Sequence, residues 1–285
     1  QKITIDVAYR YFQTPKRRFI VADTPGHEQY TKNMVTGAST ADVAIILINA
    51  KKGIIKQTLR HSYICSLLGI ERIILIVNKM DLVKFSKKKF ESVRNEYIDK
   101  VKSLNFLKIM AIPVSATLGD NIIRKSKNTD WFKGKPLLKV LESIDILSKK
   151  QNRESMFSVQ YVGLGKNNTR SYLGIIRAGF FKKNQKITVY PSLENNIIKK
   201  IIFYKKEISK ATEGESVNIL LKKELDISRG YIFSSTNTDI ELSDHFQSKL
   251  IWFSKNQGFV GRLYFMKIGG FILDAQITKI KNIIN

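Results

Sequence analysis

Two hydrophobic periods alternate along the first 150 residues. Short apolar runs at Ile3 to Phe12, Arg18 to Asp23, Val43 to Ala50, Arg72 to Asn78 and Leu107 to Val114 predict strands. Between them, Gln29 to Thr40, Gln57 to Gly69 and Ser86 to Leu104 place apolar side chains at three- and four-residue spacing, as amphipathic helices do. This order predicts a parallel sheet flanked by helices. After about Ser148 the polar stretch Lys149 to Glu154 reads as a linker, and from Phe157 the runs become short, β-branched or aromatic. Gly163, Gly165, Gly174, Gly179, Pro191 and Gly214 punctuate them, which predicts a small β-barrel. A break at Thr236 to Ser243 precedes three further expected strands, Ser248 to Ser254, Gly261 to Lys267 and Gly270 to Lys279. The expected plan is therefore an α/β domain over 1–150, a barrel over 151–237 and a short third domain over 238–285, again of barrel strands.

Composition narrows the classes. The longest apolar runs, Val43 to Ile48 and Ile73 to Val77, fall far short of the roughly 20 residues of a membrane-spanning helix. A single cysteine, Cys65, forms no intrachain bridge, so a reducing, cytoplasmic setting is expected. The formal net charge is +25, but it comes from 37 Lys against 12 Arg and is spread along the chain. That distribution suits a solvated surface better than a nucleic-acid face, where forked Arg donors read phosphate, so no specific nucleic-acid partner is expected.

Three short motifs carry chemistry, each at the carboxyl end of an expected strand, where open α/β sheets bind ligands. Asp23-Thr24-Pro25-Gly26-His27 puts a carboxylate before a Pro-Gly turn and a helix. Such a carboxylate holds Mg²⁺ in nucleotide-hydrolysing proteins, and the glycine lets a backbone N–H approach the terminal phosphate. In Asn78-Lys79-Met80-Asp81, the Asp81 carboxylate can accept both the N1–H and the exocyclic amine of guanine. Asn78 would serve the other edge of the base and the Lys79 stem would cover the ring. Ser115-Ala116 offers a backbone N–H to the guanine carbonyl. Each motif is weak alone, but in this order they predict a GTP-binding domain. His61 and Cys65 read as helix-packing residues, and His245 has no neighbour at metal-ligand spacing.

The stretches ITIDVAYRYF (Ile3 to Phe12) and FIVADTPGHEQYTKNMVTGASTAD (Phe19 to Asp42) resemble the large, GTPase subunit of bacterial sulfate adenylyltransferase (ATP sulfurylase), a relative of elongation factor Tu. The likeness continues through NKMDLV (Asn78 to Val83), Tyr190-Pro191-Ser192 and Asp226-Ile227-Ser228-Arg229-Gly230. It implies an α/β P-loop GTPase-type domain followed by β-barrel domains. It implies that Thr4 closes over Mg²⁺ and the γ-phosphate, that Asp23 supports Mg²⁺, that Gly26 in the Thr24-Pro25-Gly26 turn contacts the γ-phosphate and that His27 orients the attacking water. Asn78 to Asp81 with Ser115 and Ala116 would select guanine. The implied function is coupling: GTP hydrolysis drives a small catalytic subunit, in a cytoplasmic heterodimer, to make adenosine 5′-phosphosulfate and pyrophosphate from ATP and sulfate. Elongation-factor work on aminoacyl-tRNA is the alternative, disfavoured by Thr24 and the Glu28-Gln29-Tyr30-Thr31 continuation; a noncatalytic remnant is a third reading.

Departures from the family shape further expectations. Asn184 replaces a turn glycine, tolerable because Asn can adopt positive φ, and Tyr231 stands where the family usually has Asp. No G-x-x-x-x-G-K-[ST] occurs, and the chain opens on Gln1 rather than Met, so the phosphate loop and its strand are expected upstream and the third domain is expected to continue past Asn285. Alone, this chain is expected neither to bind GTP tightly nor to hydrolyse it. Without the intervening strand, the strand ending at Asp23 and the strand at Val43 should not pair directly.

Overall fold

A strand reading RIILIVN excludes water from both its faces only by running through the middle of a layered unit. The computed structural model describes residues 5–145, 154–164, 169–236 and 240–283, and the chain divides into two units, Gln1–Ile146 and Leu147–Asn285. The first unit runs β1 (Ala8–Gln13), β2 (Arg18–Asp23), α1 (Thr31–Ala38), β3 (Ala44–Asn49), α2 (Lys56–Leu67), β4 (Arg72–Asn78), α3 (Lys87–Val101), β5 (Lys108–Pro113) and α4 (Leu137–Ser143). β4 lies between β3 and β5 in a parallel sheet, with Ala44 opposite Ile73 and Arg72 opposite Lys108. Its five residues Ile73–Val77 are at most 3% exposed. Alternation sends Ile74 and Ile76 to one face, where they pack with Ile112, Val114, Val140 and Ile144.

α2 packs on β3, and α3 on β4 and β5. α3 starts because Ser86 caps it, its hydroxyl accepting the Lys89 N–H, and Phe90, Val93, Tyr97 and Val101 make its buried stripe. Inside, the Tyr97 hydroxyl bonds Ser62 Oγ at 2.8 Å, and Ser62 donates to the Thr58 carbonyl. Burial pushes the Tyr97 phenol up to about 12 and the Cys65 thiol to about 11.

β1 and β2 form an antiparallel hairpin from Ala8↔Asp23 to Gln13↔Arg18. As expected, β2 and β3 belong to separate sheets, and Ile20 and Leu47 stay largely exposed on them. The hairpin is held at its turn instead. Arg17 donates to the Leu141 and Ile144 carbonyls at the end of α4, at 3.1 and 2.8 Å, as a cation at a helix C-terminus should. Gly37 lets α1 press on the other end: a Cβ there would stand 2.5 Å from Thr24 Cγ2.

Two details differ from the expectations for this unit. The first strand begins at Ala8, leaving Ile5 to Val7 out of it, while Ile3 and Thr4 lie outside the described residues: Asp6 takes the Val7 N–H with its own side chain, a local bond that competes with a ladder. α4 is only seven residues long and carries no long periodic pattern by which the sequence would predict it.

The second unit runs β6 (Met156–Leu164), β7 (Arg170–Ala178), β8 (Phe180–Lys182), β9 (Lys186–Tyr190), β10 (Glu194–Phe203), β11 (Lys206–Ile208), β12 (Lys210–Thr212), β13 (Ser216–Leu221), β14 (Ile232–Ser235), β15 (Leu263–Ile268) and β16 (Phe271–Gln276). The order β10-β13-β7-β6-β14-β9 closes on itself because β9 also pairs with β10, which makes a barrel. Phe157, Tyr172 and Phe233 meet in its core at ring separations of 5.3 and 5.5 Å. Gly174 is required by packing, since a Cβ there would collide with the Ser158 carbonyl on β6. Asn184 adopts φ 64°, as its turn demands, and the Tyr231 ring lies tilted against Phe271 at 6.2 Å.

The strand expected at Ser248 to Ser254 does not form. Trp252 Nε1 donates to the Asn256 carbonyl and the Asn256 N–H to Ser254 Oγ, so the segment closes a turn and finds no partner strand among the described residues. The other two expected strands form as the β15–β16 hairpin. No described helix is long and apolar enough to cross a membrane.

Buried acids with raised pKa values make a pH prediction. Unfolding exposes the thiol to its ordinary value of 9.0 and the phenol to 10.0, so the unfolded chain loses these protons first. Stability from these groups is complete below about pH 9 and should decline as pH rises toward 11 and 12, in urea titrations at stepped pH. Cys65 should resist a disulfide reagent at pH 8 in the native chain and react promptly in guanidinium chloride; equal rates would contradict its buried placement.

Candidate functional site

The parallel sheet delivers two of the motifs to neighbouring strand ends. Asn78 closes β4, and Ser115 follows β5 by two residues. Lys79 turns the chain sharply, at φ 61° and ψ 40°, so that the Met80 N–H reaches the Val114 carbonyl at 3.1 Å. The Met80 side chain is fully buried. It therefore anchors the turn, and its neighbours Lys79 and Asp81 present the chemistry.

Side chains then tie the two ends together. Ser115 Oγ donates to Asp81 Oδ1 at 2.6 Å, and Asn78 Oδ1 accepts both the Lys79 N–H at 2.7 Å and the Ala116 N–H at 3.1 Å. One Asp81 oxygen is thus spent on orientation, while the other has no partner among the described residues. A carboxylate so oriented still accepts a paired N–H donor set, since the oxygen bonded to Ser115 keeps a second lone pair and the other is unengaged by the described residues. The Ala116 N–H, expected to be open to a base carbonyl, is here bonded to Asn78.

A second layer, not picked out from the sequence, supports this loop. Asn121 is 1% exposed; it donates to the Pro113 carbonyl at 2.9 Å and to Thr129 Oγ1 at 2.8 Å, and accepts the Ser126 N–H at 2.9 Å. Asp120 Oδ1 accepts from Ser126 Oγ and Asn128 Nδ2. The available signal was the density of Gly, Asp, Asn and Ser after Ser115, the residues that bond their own backbone in turns.

The Asp23–His27 motif forms a separate group at the end of β2. Asp23 is exposed, and its carboxylate has no hydrogen bond or ion pair among the described residues. Pro25 is buried, Thr24 packs toward Gly37, and the space a Cβ would take at Gly26 is open, so a ligand can approach the backbone. His27 precedes a single 3-10 turn, Glu28–Tyr30, and its carbonyl accepts the Tyr30 N–H at 3.0 Å. No side-chain bond links this group to Asp81 or Ser115 among the described residues. Thr4 lies outside the described residues.

The remaining polar candidates sort simply. His61 bonds Gln57 at 2.9 Å on α2, where burial and then Arg60 hold its pKa below the ordinary value, and His245 bonds Asp244 on the surface. Among the described residues no three His, Cys, Asp or Glu side chains cluster as a metal site.

A family profile for the elongation factor Tu GTP binding domain matches residues 1–157, which include all three motifs. The chain belongs to this family of GTP-binding domains. Sulfate adenylyltransferase subunit 1 of Aliivibrio fischeri strain MJ11 is 44% identical over 100% of this chain and 60% of its own length. The same-named protein of Photobacterium profundum is 45% identical over 95% of this chain and 57% of its own. The bifunctional enzyme NodQ of Rhizobium meliloti is 44% identical over 100% of this chain and 44% of its own. The chain thus spans about 60% or less of the length of these curated relatives. Among solved structures, a bacterial selenocysteine-specific elongation factor aligns with a TM-score of 0.43 at 23% identity, over 82% of this chain and 39% of that one. The GTP-binding domain is followed in sequence by the barrel, the order expected for the family.

The supporting layer of the GTP-binding domain can be tested alone. Asn121→Ala removes three bonds and strands the Pro113 carbonyl and the Ser126 N–H, which should lower stability by about 2–3 kcal/mol in urea denaturation. A loss below about 0.5 kcal/mol would mean that the loop is held some other way.

Proposed function

We propose that this chain is the GTP-binding part of a sulfate adenylyltransferase large subunit, which couples GTP hydrolysis to formation of adenosine 5′-phosphosulfate and pyrophosphate from ATP and sulfate on a small partner subunit. The observation that carries the nucleotide half is the Asp81 carboxylate, oriented by Ser115 and open on its other oxygen. The sulfate half rests on relatives named sulfate adenylyltransferase subunit 1 that align over the whole of this chain. The proposed domain plan is 1–150 for GTP binding, 151–237 for the barrel and 238–285 for part of a third domain, in a cytoplasmic heterodimer.

In this reading Asp81 accepts the guanine N1–H and amine, Asn78 and Ala116 serve the other edge, and the exposed Lys79 stem covers the ring. Asp23, whose exposed carboxylate has no partner among the described residues, fits a divalent cation, and the family resemblance assigns Thr4 to the same ion. Mg²⁺ is held by one or two carboxylates plus substrate phosphates and keeps several waters, so a dense acidic cluster is not required. When bound it neutralises phosphate charge. Gly26 offers its backbone to the terminal phosphate and His27 orients water for in-line attack; GTP and water give GDP, inorganic phosphate and a proton.

The deciding experiment uses the full-length protein with its small subunit. GTP-dependent and sulfate-dependent release of pyrophosphate from ATP is expected. Binding of aminoacyl-tRNA with no such release would favour the translation-factor alternative.

Two substitutions in the full-length protein test the site. Asp81→Asn should weaken GTP binding by roughly 10²- to 10⁴-fold, since the site would then lack the acceptor that guanine needs, and should improve xanthosine triphosphate binding. Undiminished GTP affinity would remove Asp81 from the base site. His27→Ala should slow GTP hydrolysis by roughly 10²-fold or more while leaving GTP affinity near normal, because a water-orienting group acts mainly in the transition state. Collapsed binding with normal turnover per bound GTP would make His27 structural.

A further inference from the structure

The residue after His27 makes a contact that the proposed chemistry does not use. Glu28 Oε1 pairs with Arg60 Nη1 on α2 at 2.6 Å, and the same Nη1 donates to Gln57 Oε1 at 3.2 Å. Gln57 in turn bonds His61, so Arg60 is held along one face of the helix before it reaches across. α2 is a firm base, because Thr58, Ser62, Ile64 and Cys65 along it are buried. Glu28, by contrast, belongs to a one-turn 3-10 segment that contributes no buried residue.

The exposure of the pair decides what it is for. The Glu28 side chain is 69% exposed and that of Arg60 27%, and ion pairs this open to water add little to stability. Position matters more. Among the described residues, this pair is the one polar link that a side chain of residues 26–29 makes to another element. Geometrically, it fixes the start of the turn whose preceding residue is His27.

We propose that Arg60 is a positioning residue: through Glu28 it fixes the turn that aims the His27 imidazole, so it supports hydrolysis and not nucleotide affinity. The inference rests on the reading of this chain as part of a GTPase. Displacing a group from its productive position by about 1 Å is enough to slow an enzyme by roughly 10²-fold, so a single tether can matter kinetically while counting for little in stability. Glu28 also gains a role here, as a residue of the segment that sets this sequence apart from elongation factors.

Two measurements separate the outcomes. On the 285-residue chain, with no nucleotide, amide hydrogen exchange at Tyr30 should speed up in Arg60→Gln, since its N–H closes the turn onto the His27 carbonyl. In the full-length protein, Arg60→Gln should lower kcat for GTP hydrolysis about tenfold or more with KM for GTP unchanged, and Arg60→Lys should recover part of the loss. The exchanged pair Glu28→Arg with Arg60→Glu should restore both the exchange rate and kcat, which a merely structural role for Arg60 on α2 would not do. Unchanged exchange at Tyr30, or unchanged kcat in an active protein, overturns the inference and leaves the GTPase reading intact. A wild-type full-length protein that hydrolyses no GTP overturns the GTPase reading itself, and with it any hydrolytic use of Arg60.

Discussion

Shielding Ile73–Val77 on both faces sets the terms for the rest of the first unit. Five consecutive residues that exclude water need strands on either side and helices above and below, and β3, β5, α2, α3 and α4 answer those four demands. Once β4 is fixed, its carboxyl end is fixed with it. Asn78 leaves the sheet at a set height beside β5, and the Met80 N–H to Val114 carbonyl bond locks the two ends in register. The groups proposed to face the base are thus a by-product of sheet packing: Asp81 and Ser115 meet because their strands are neighbours, although 34 positions separate them.

What the sequence disclosed follows the same physics. Arg18–Asp23 and Arg72–Asn78 were legible to the residue because each runs between sharp polar boundaries, and β3 and β5 to within a residue at either end. The barrel was legible as a texture of short runs and glycines, and its closure through β9 and β10 was not, since no local pattern says which strands meet. Ser248 to Ser254 misled because an apolar, aromatic run has strand propensity whether or not a partner is at hand. At the site, the three motifs stood out by residue type. The Asn121 network and the Glu28–Arg60 pair did not, because side-chain bonds across 8 and 32 positions leave no period to detect.

The two units handle their strand edges differently. Every strand of the six-membered barrel ring has a ring neighbour on each side, and β10 pairs along part of its length with β11 as well. Among the described residues the β1–β2 hairpin and the three-stranded sheet of the first unit each end in an unpaired edge, and Arg17 ties the hairpin to α4. Such edges are where a chain is open to pairing with further strands.

The bond from the Ala116 N–H to Asn78 has a consequence for how selectivity is shared across the proposed base site. A purine carbonyl arriving at Ala116 does not meet an idle donor; it displaces an amide oxygen that already occupies it. Trading one neutral acceptor for another changes the free energy little, so this contact registers the position of the base without rewarding it strongly. The free oxygen of Asp81 gives up no protein partner when a base arrives. In the proposed site, discrimination between bases would therefore concentrate in one carboxylate, with the amide opposite acting as a gauge of fit.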